Sequence, residues 1–120
     1  MQQQEKPFLR VLEFRAFDSG VVFAVEGEID LATVDQLTRA IDGVWHRAES
    51  VTIDLRRVSF IDCLGMRALL ELSSEGAARG CRVEFIQGPR SVERLFELTG
   101  ALQQLSFVDA ASPSVAATTA

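Results

Sequence analysis

The sequence predicts a single α/β domain, with a sheet of four or five mostly parallel strands and helices packed on it. Strand-like and helix-like hydrophobic patterns alternate along the chain, which favours right-handed crossovers between parallel strands. The turn signal Asp18-Ser19-Gly20 joins the first two strands as a hairpin, so the N-terminal strand is expected to be antiparallel and at an edge. The length of 120 residues suits one buried core.

Five segments have strand character. The second is a nearly continuous apolar run, as expected for a strand covered on both faces, and the segment 27–30 is expected to break it. The segment 56–61 leads from the third strand into a turn. The last segment is a short strand, or an extended stretch beside a last helical turn. The predicted strands cover residues 8–17, 21–26, 51–55, 82–86 and 105–108.

Three helices are predicted from apolar residues that recur at helical spacing. Asp30 is the expected N-cap of the first, because its carboxylate can accept hydrogen bonds from the free N–H groups of a first turn. Gly80 and Gly100 end the second and third. The apolar positions are Leu31, Val34, Leu37, Ile41, Val44, Trp45 and Ala48 in the first helix, Met66, Leu69, Leu70, Ser73 and Ala77 in the second, and Val92, Leu95, Phe96 and Thr99 in the third.

Composition and charge argue against several classes of protein. The chain is 48% hydrophobic, with a net charge of −5 and a pI of about 4.8, which favours a globular protein and disfavours a nucleic-acid partner. No apolar run approaches the roughly 18 residues of a membrane span, and residues 1–6 do not resemble a signal peptide. We therefore expect a cytoplasmic domain over residues 8–109, without membrane insertion, between flexible tails at 1–7 and 110–120.

The two cysteines, Cys63 and Cys81, indicate neither a disulfide nor a metal site. A helix over residues 63–79 places the thiols at its opposite ends, roughly 25 Å apart, whereas a disulfide needs Cα atoms within about 7 Å. Their spacing gives no zinc site, and we expect no cofactor. The preferred interpretation of Cys63 is a small buried thiol, with a redox sensor at a helix N-terminus as the alternative. Cys81 is expected in the core.

Two turns between a strand and a helix carry the strongest pattern. If their strands are neighbours, both turns open on one edge of the domain, where α/β sheets collect function. A third and weaker motif lies in residues 88–102. The two turns read Gly27-Glu28-Ile29-Asp30 followed by Thr33, and Asp62-Cys63-Leu64-Gly65; the third motif contains Ser91-Val92, Leu95-Phe96 and Leu98-Thr99-Gly100.

In this order and at these distances, the three motifs closely resemble those of STAS domains, the family of bacterial anti-sigma factor antagonists. The resemblance covers residues 8–109 and implies a single STAS-like domain packed by three to five helices. In regulated members the second turn reads Asp-Ser-Ser/Thr-Gly, and its second hydroxyl is phosphorylated by an anti-sigma factor that is also a serine kinase. The unmodified antagonist binds that factor and frees the sigma factor, whereas phosphate, which adds about −1.5 to −2 charges, releases the partner.

In this sequence Leu64 occupies the position equivalent to the phosphosite, and a leucine cannot be phosphorylated. Cys63 is not an ordinary kinase acceptor. We therefore predict that the protein is not switched off by a kinase at position 64, and leave open whether Ser59 or Cys63 provides another control.

The resemblance also implies a docking surface on both turns and on the start of the second helix. Asp30 and Asp62 are expected to cap helices as well as to dock. Leu64 is expected to be partly buried rather than exposed, and it is also a candidate apolar contact. The expected partner-binding residues are Asp30, Thr33, Asp62, Cys63, Leu64, Gly65, Met66 and Arg67, with Met66 and Arg67 taken as exposed.

Enzyme functions are disfavoured by the sequence. The only lysine is Lys6, near the N-terminus, so the active-edge lysine of a response-regulator receiver is missing. The single histidine, His46, is expected at the surface, and the chain has no nucleophile elbow or glycine-rich phosphate loop. Two alternatives to an antagonist stay open. One is a STAS accessory subunit of a lipid-transport ABC system, and the other is a scaffold or sensor subunit of a signalling complex.

Overall fold

The structure is a computed structural model that describes residues 8–16 and 19–110. The tails predicted at 1–7 and 110–120 fall outside the described residues, apart from residue 110. Two short 3₁₀ turns, Trp45–Arg47 and Ala101–Gln103, follow the first and third helices. The main elements are β1 (Leu9–Arg15), β2 (Gly20–Ile29), α1 (Val34–Asp42), β3 (Ser50–Ile61), α2 (Cys63–Arg79), β4 (Arg82–Ile86), α3 (Arg90–Thr99) and β5 (Ser106–Phe107).

Within the described residues, the sheet has five strands in the order β1-β2-β3-β4-β5. β1 pairs with β2 in the antiparallel sense, and every later pair is parallel, so the predicted α/β fold with an antiparallel edge strand is confirmed. The hairpin between β1 and β2 closes with a hydrogen bond from the N–H of Ala16 to the carbonyl of Gly20, 2.8 Å long. Ser19 has a φ of 56°, a left-handed conformation typical of tight turns.

The three helices pack against one face of the sheet. Phe23, Ile53 and Phe85 stand side by side on that face, and all three are completely buried. The same core contains Leu37 of α1, Leu69 of α2 and Phe96 of α3, as well as the buried Met66 and Val92. Burying one such side chain contributes about 1.5–3 kcal/mol, so this face holds the helices in position.

β2 and β3 are longer than the sequence predicted. The expected break at residues 27–30 is wrong, because β2 continues through Gly27 to Ile29 and stays paired with β3. The pairing of β2 with β3 has two irregularities in register, between Ala24 and Glu26 and between Gly27 and Glu28. Gly27 has a φ of 113° and packs against the backbone of Phe8, where a Cβ atom would collide, so glycine is needed without ending the strand.

The first helix is shorter than predicted, whereas the other two agree with the sequence. α1 begins at Val34, and Leu31, which the pattern assigned to the helix, lies in the preceding turn with 71% of its surface exposed. Trp45 is buried, but it lies in a 3₁₀ turn after the helix. Gly80 and Gly100 end α2 and α3 in the left-handed conformation that was expected of them.

Candidate functional site

The pairing of β2 with β3 brings the two sequence motifs together. Ile29 and Ile61, the last residues of these parallel strands, are partners in the register, so the turns that follow them lie side by side. The N–H of Asp62 donates to the carbonyl of Ile29 across the gap, at 3.3 Å. Gly65 packs so closely on that same carbonyl that a Cβ atom would overlap it. We call residues 30–33 and 62–67 the two-turn edge.

The second turn is a capped helix start. Asp62 has an extended backbone, and its Oδ1 accepts a hydrogen bond from the N–H of Gly65 at 2.7 Å. Its carbonyl accepts the bond from the N–H of Met66, at 2.9 Å, so the helical ladder begins at once. The expected capping role of Asp62 is confirmed, and it leaves Cys63 and Leu64 in the first turn of α2.

The first turn is built differently. Asp30 Oδ1 accepts from the N–H groups of Ala32, at 2.9 Å, and of Thr33, at 3.2 Å, but these residues precede α1. Thr33 occupies the N-cap position of α1, and its side chain makes no cap bond to the helix. Its Oγ1 instead donates to the carbonyl of Glu28 at 2.6 Å and accepts from the N–H of Asp30 at 3.1 Å. Asp30 therefore stabilises a tight turn and does not cap α1 itself.

The residues predicted to bind a partner divide into a supporting group and a presented group. Thr33 and Met66 are only 6% and 3% exposed, and Gly65 is also buried, so these three hold the edge from within. Asp30 and Asp62 are partly exposed. The residues that are presented to solvent are Cys63, Leu64 and Arg67.

Three predictions of exposure are corrected. Met66 is not exposed, because it lies on the stripe of α2 that faces the sheet, and its sulfur lies 2.9 Å from the hydroxyl of Thr99. Cys63 is not buried, because the first residue of α2 lies off that stripe and in solvent. Leu64 is exposed, at 47%, where partial burial was expected. Cys81 is buried as predicted, and burial raises the pKa of its thiol.

Three exposed apolar residues on elements that end at this edge were missed from the sequence. Leu31 and Phe60 are 71% and 49% exposed, and they lie just beyond the end of β2 and just before the end of β3. Leu98 is 74% exposed at the end of α3, next to Thr99, which contacts α2. Leu98 had a detectable signal, since it is the one large apolar residue off the apolar stripe of its helix.

The remaining polar groups near the edge have ordinary roles. Arg67 and Glu71 form an exposed ion pair of 3.7 Å along α2. Ser59 Oγ donates to the carbonyl of Gly27 at 3.2 Å, which ties the end of β3 to β2.

Within residues 8–16 and 19–110, no cluster of His, Cys, Asp and Glu could hold a metal ion. In the same residues, no helix is long and apolar enough to span a membrane.

Comparison with known proteins identifies this architecture. The chain is similar to an anti-sigma factor antagonist from Mycobacterium paratuberculosis, with a TM-score of 0.74 and 23% identity over 89% of this chain and 91% of the other. It is similar to the unphosphorylated anti-sigma factor antagonist SpoIIAA, with a TM-score of 0.70 and 19% identity over 84% and 90%. It is also similar to SLC26A9, with a TM-score of 0.69 and 14% identity over 80% of this chain and 19% of the other. At these identities the likenesses establish the fold alone.

A search of curated proteins gave no significant match. The family model of the STAS domain matches residues 12–116, which is most of the chain and includes both turns of the two-turn edge. The chain belongs to the STAS domain family.

Proposed function

We propose that this protein is a cytoplasmic anti-sigma factor antagonist, which docks an anti-sigma factor of the serine-kinase type on the two-turn edge and so releases a sigma factor. It acts by binding and without catalysis, through a STAS domain over residues 8–109. The partner-binding residues are those presented by the edge, Asp30, Asp62, Cys63, Leu64 and Arg67. Thr33, Gly65 and Met66 contribute by holding the two turns together.

The observation that carries the proposal is the position of Leu64. It lies in the first turn of α2, directly beside the Asp62 cap, and is 47% exposed on the edge where both family motifs meet. A phosphate at such a position would sit against the free N–H groups and the positive end of the helix dipole. An exposed leucine there offers a partner an apolar contact and no site for that phosphate.

Solved structures of SpoIIAA support a regulatory interpretation of the missing hydroxyl. SpoIIAA is known in an unphosphorylated and a phosphorylated form. This chain has no hydroxyl at either central position of the turn. We therefore propose a constitutive antagonist in a partner-switching system, one that a kinase does not switch off at position 64. The nearby hydroxyl of Ser59 is engaged with the carbonyl of Gly27, which supports its structural role.

The first experiment mixes the full chain with candidate anti-sigma kinases and ATP, and measures complex formation and phosphate incorporation together. We expect a stable complex that persists in ATP and no phosphate on residues 58–66. Phosphate on Ser59, or on any residue of that segment, would contradict the constitutive function, and failure to bind any such kinase would contradict the antagonist function.

A gain-of-switch variant makes the test sharper. Leu64→Ser restores a hydroxyl beside the same Asp62 cap, so the variant should accept phosphate and leave the partner when ATP is added. Leu64→Ala is the matched control, because it removes the leucine without supplying an acceptor. It should bind somewhat more weakly than the parent and remain insensitive to ATP.

A second candidate function is an accessory subunit of a transport system. It is favoured by the structural likeness to SLC26A9 and to a sulfate transporter family protein from Wolinella succinogenes, which has a TM-score of 0.70 and 18% identity over 82% of this chain. Purification of the native protein with its partners, followed by mass spectrometry, separates the two functions. An anti-sigma factor supports the antagonist, and an ATPase or a transporter supports the accessory subunit.

A further inference from the structure

The face of the sheet opposite the helices carries a groove. Its volume is about 720 Å³, within the range of roughly 300–1,000 Å³ that is typical of small-molecule sites. Leu12 and Phe14 of β1 and Ala24 of β2 line it, together with side chains of β3. We call it the sheet-face groove. It is separate from the two-turn edge, because its β2 residues precede Gly27, and Leu12, Phe14 and Ala24 alternate along their strands with the core-facing Val11, Phe23 and Val25.

The groove is organised in rows across the strands. The register pairs Phe14 with Val22 and Leu12 with Ala24, so two successive rows are apolar on β1 and β2, and Thr52 and Asp54 continue them on β3. Phe14 and Ala24 are partly exposed, and Leu12 is 42% exposed. Successive rows on one face are two residues apart along each strand, which is about 7 Å, since each residue advances about 3.4 Å.

The next row is charged. The register places Arg10, Glu26 and Arg57 side by side on β1, β2 and β3. Arg10 approaches Glu26 at 3.9 Å. In the part of the chain that the structure describes, Arg57 belongs to none of the ion pairs.

The third basic residue of the lining, Arg56, forms an ion pair with Asp54. Its guanidinium holds the carboxylate of Asp54 with two nitrogens, the closer at 2.7 Å, and this hydrogen bond and charge raise the pKa of Arg56. Of the three arginines and two acids in the lining, two opposite pairs cancel. One positive charge, on Arg57, remains at the end of the apolar rows.

We propose that the sheet-face groove binds a single-chain amphiphile with an anionic carboxylate head, its chain lying over Leu12 and Phe14 and its head paired with Arg57. The argument is charge complementarity joined to shape. The apolar rows offer a surface for a hydrocarbon chain, and the uncompensated guanidinium next to them can hold a carboxylate with two parallel hydrogen bonds. The inference is independent of the proposed docking function, because none of these residues belongs to the two-turn edge.

The test titrates the full chain with dodecanoate below its micelle concentration, and follows backbone and methyl NMR signals. We expect saturable shifts concentrated on Leu12, Phe14, Ala24 and Arg57. Dodecanol, which lacks the charge, and dodecyltrimethylammonium, which reverses it, should bind more weakly, by about tenfold for the loss of one charge-assisted contact.

Variants distinguish recognition of the ligand's carboxylate head from recognition of its hydrocarbon chain. Arg57→Glu should weaken dodecanoate by about tenfold or more and leave dodecanol unchanged, and Ala24→Phe should weaken both by filling the groove. Arg94→Glu is the matched control, since Arg94 is exposed on α3 and lies outside the groove, and it should bind like the parent. Circular dichroism of each variant checks that it is folded.

Several outcomes would overturn the proposal. These are the absence of saturable shifts in the groove, equal binding of the three probes, and an Arg57→Glu variant that binds dodecanoate like the parent. Groove signals that move with protein concentration would assign the face to a second copy of the chain. Contacts from residues 1–7 or 111–120 to Leu12 and Phe14 would assign it to the protein's own termini.

Discussion

Both turns of the two-turn edge connect a strand to a helix through an aspartate, but their geometry differs. At the second turn, Asp62 caps a 17-residue helix that begins with the next residue. At the first, Asp30 closes a turn of three residues, and Thr33 then fixes that turn to β2 through the carbonyl of Glu28. One turn is therefore stabilised by a helix, and the other by a buried hydroxyl.

The difference shows that an aspartate after a strand can start a helix or close a tight turn, depending on how the following residues pack on the neighbouring strand. Gly65 allows α2 to rest directly on the carbonyl of Ile29, so a helix can start at once. Residues 31 and 32 have no such support, and their side chains are exposed. We expect the second turn to be sensitive to steric change, and the first to the loss of one hydroxyl.

The largest effect should come from Gly65→Ala. The added Cβ would overlap the Ile29 carbonyl, so α2 must shift from β2, at a cost of about 3 kcal/mol in the free energy of unfolding. Gly43→Ala is the control, because the nearest atom to its Cβ would be 3.5 Å away and φ is −70°. Urea unfolding measures both. Equal stability of the two variants would show that the turns are not in close contact.

Thr33→Val should follow. Valine keeps the shape of the side chain but removes the hydroxyl that joins Glu28 and Asp30, and both backbone groups then lose a partner. We expect a loss of about 2 kcal/mol. Thr38→Val, on the partly exposed face of α1, removes a hydroxyl that only bonds its own helix at Val34 and serves as the control. A parent-like Thr33→Val in urea unfolding would refute the role given to the buried hydroxyl.

Asp62→Ala should cost about 1 kcal/mol, the usual loss of a helix-capping carboxylate, and Asp30→Ala about the same, because it removes the acceptor of two backbone N–H groups in the first turn. The two variants should differ in which backbone amides lose protection from hydrogen exchange. In Asp62→Ala, amide hydrogen exchange should accelerate at Gly65 and the first turn of α2, whereas in Asp30→Ala it should accelerate at Ala32 and Thr33. The same exchange pattern in both variants would mean that the two turns behave as one unit.

The smallest effect on stability should come from Leu64→Asn and Leu31→Asn. Both leucines are exposed, so we expect a change within about 0.5 kcal/mol. Affinity for an anti-sigma factor, measured by calorimetry, should fall for both if the proposed docking surface includes both turns. Arg79→Gln, at the far end of α2, is the control. Loss of affinity in Leu64→Asn alone would restrict docking to the second turn.

Much of the fold followed from local pattern. The hairpin signal, the alternation of strands with helices and the glycines after α2 and α3 predicted the sheet and two of the three helices. The site was predicted only in part. The sequence placed Met66 at the surface and Cys63 inside, and both were wrong, because the burial of a residue near a helix start depends on how the helix is rotated against the sheet.

The sequence by itself determined that this is an α/β domain of the STAS type with Cys63 and Leu64 at the centre of its second turn, since these are properties of residue order and periodicity. Tertiary structure decided that Leu31, Phe60 and Leu98 are exposed, and that Thr33 and Gly65 hold the edge from within. The reason is that a side chain's exposure depends on neighbours from β2, β3, α2 and α3, which meet only when distant parts of the chain have packed together.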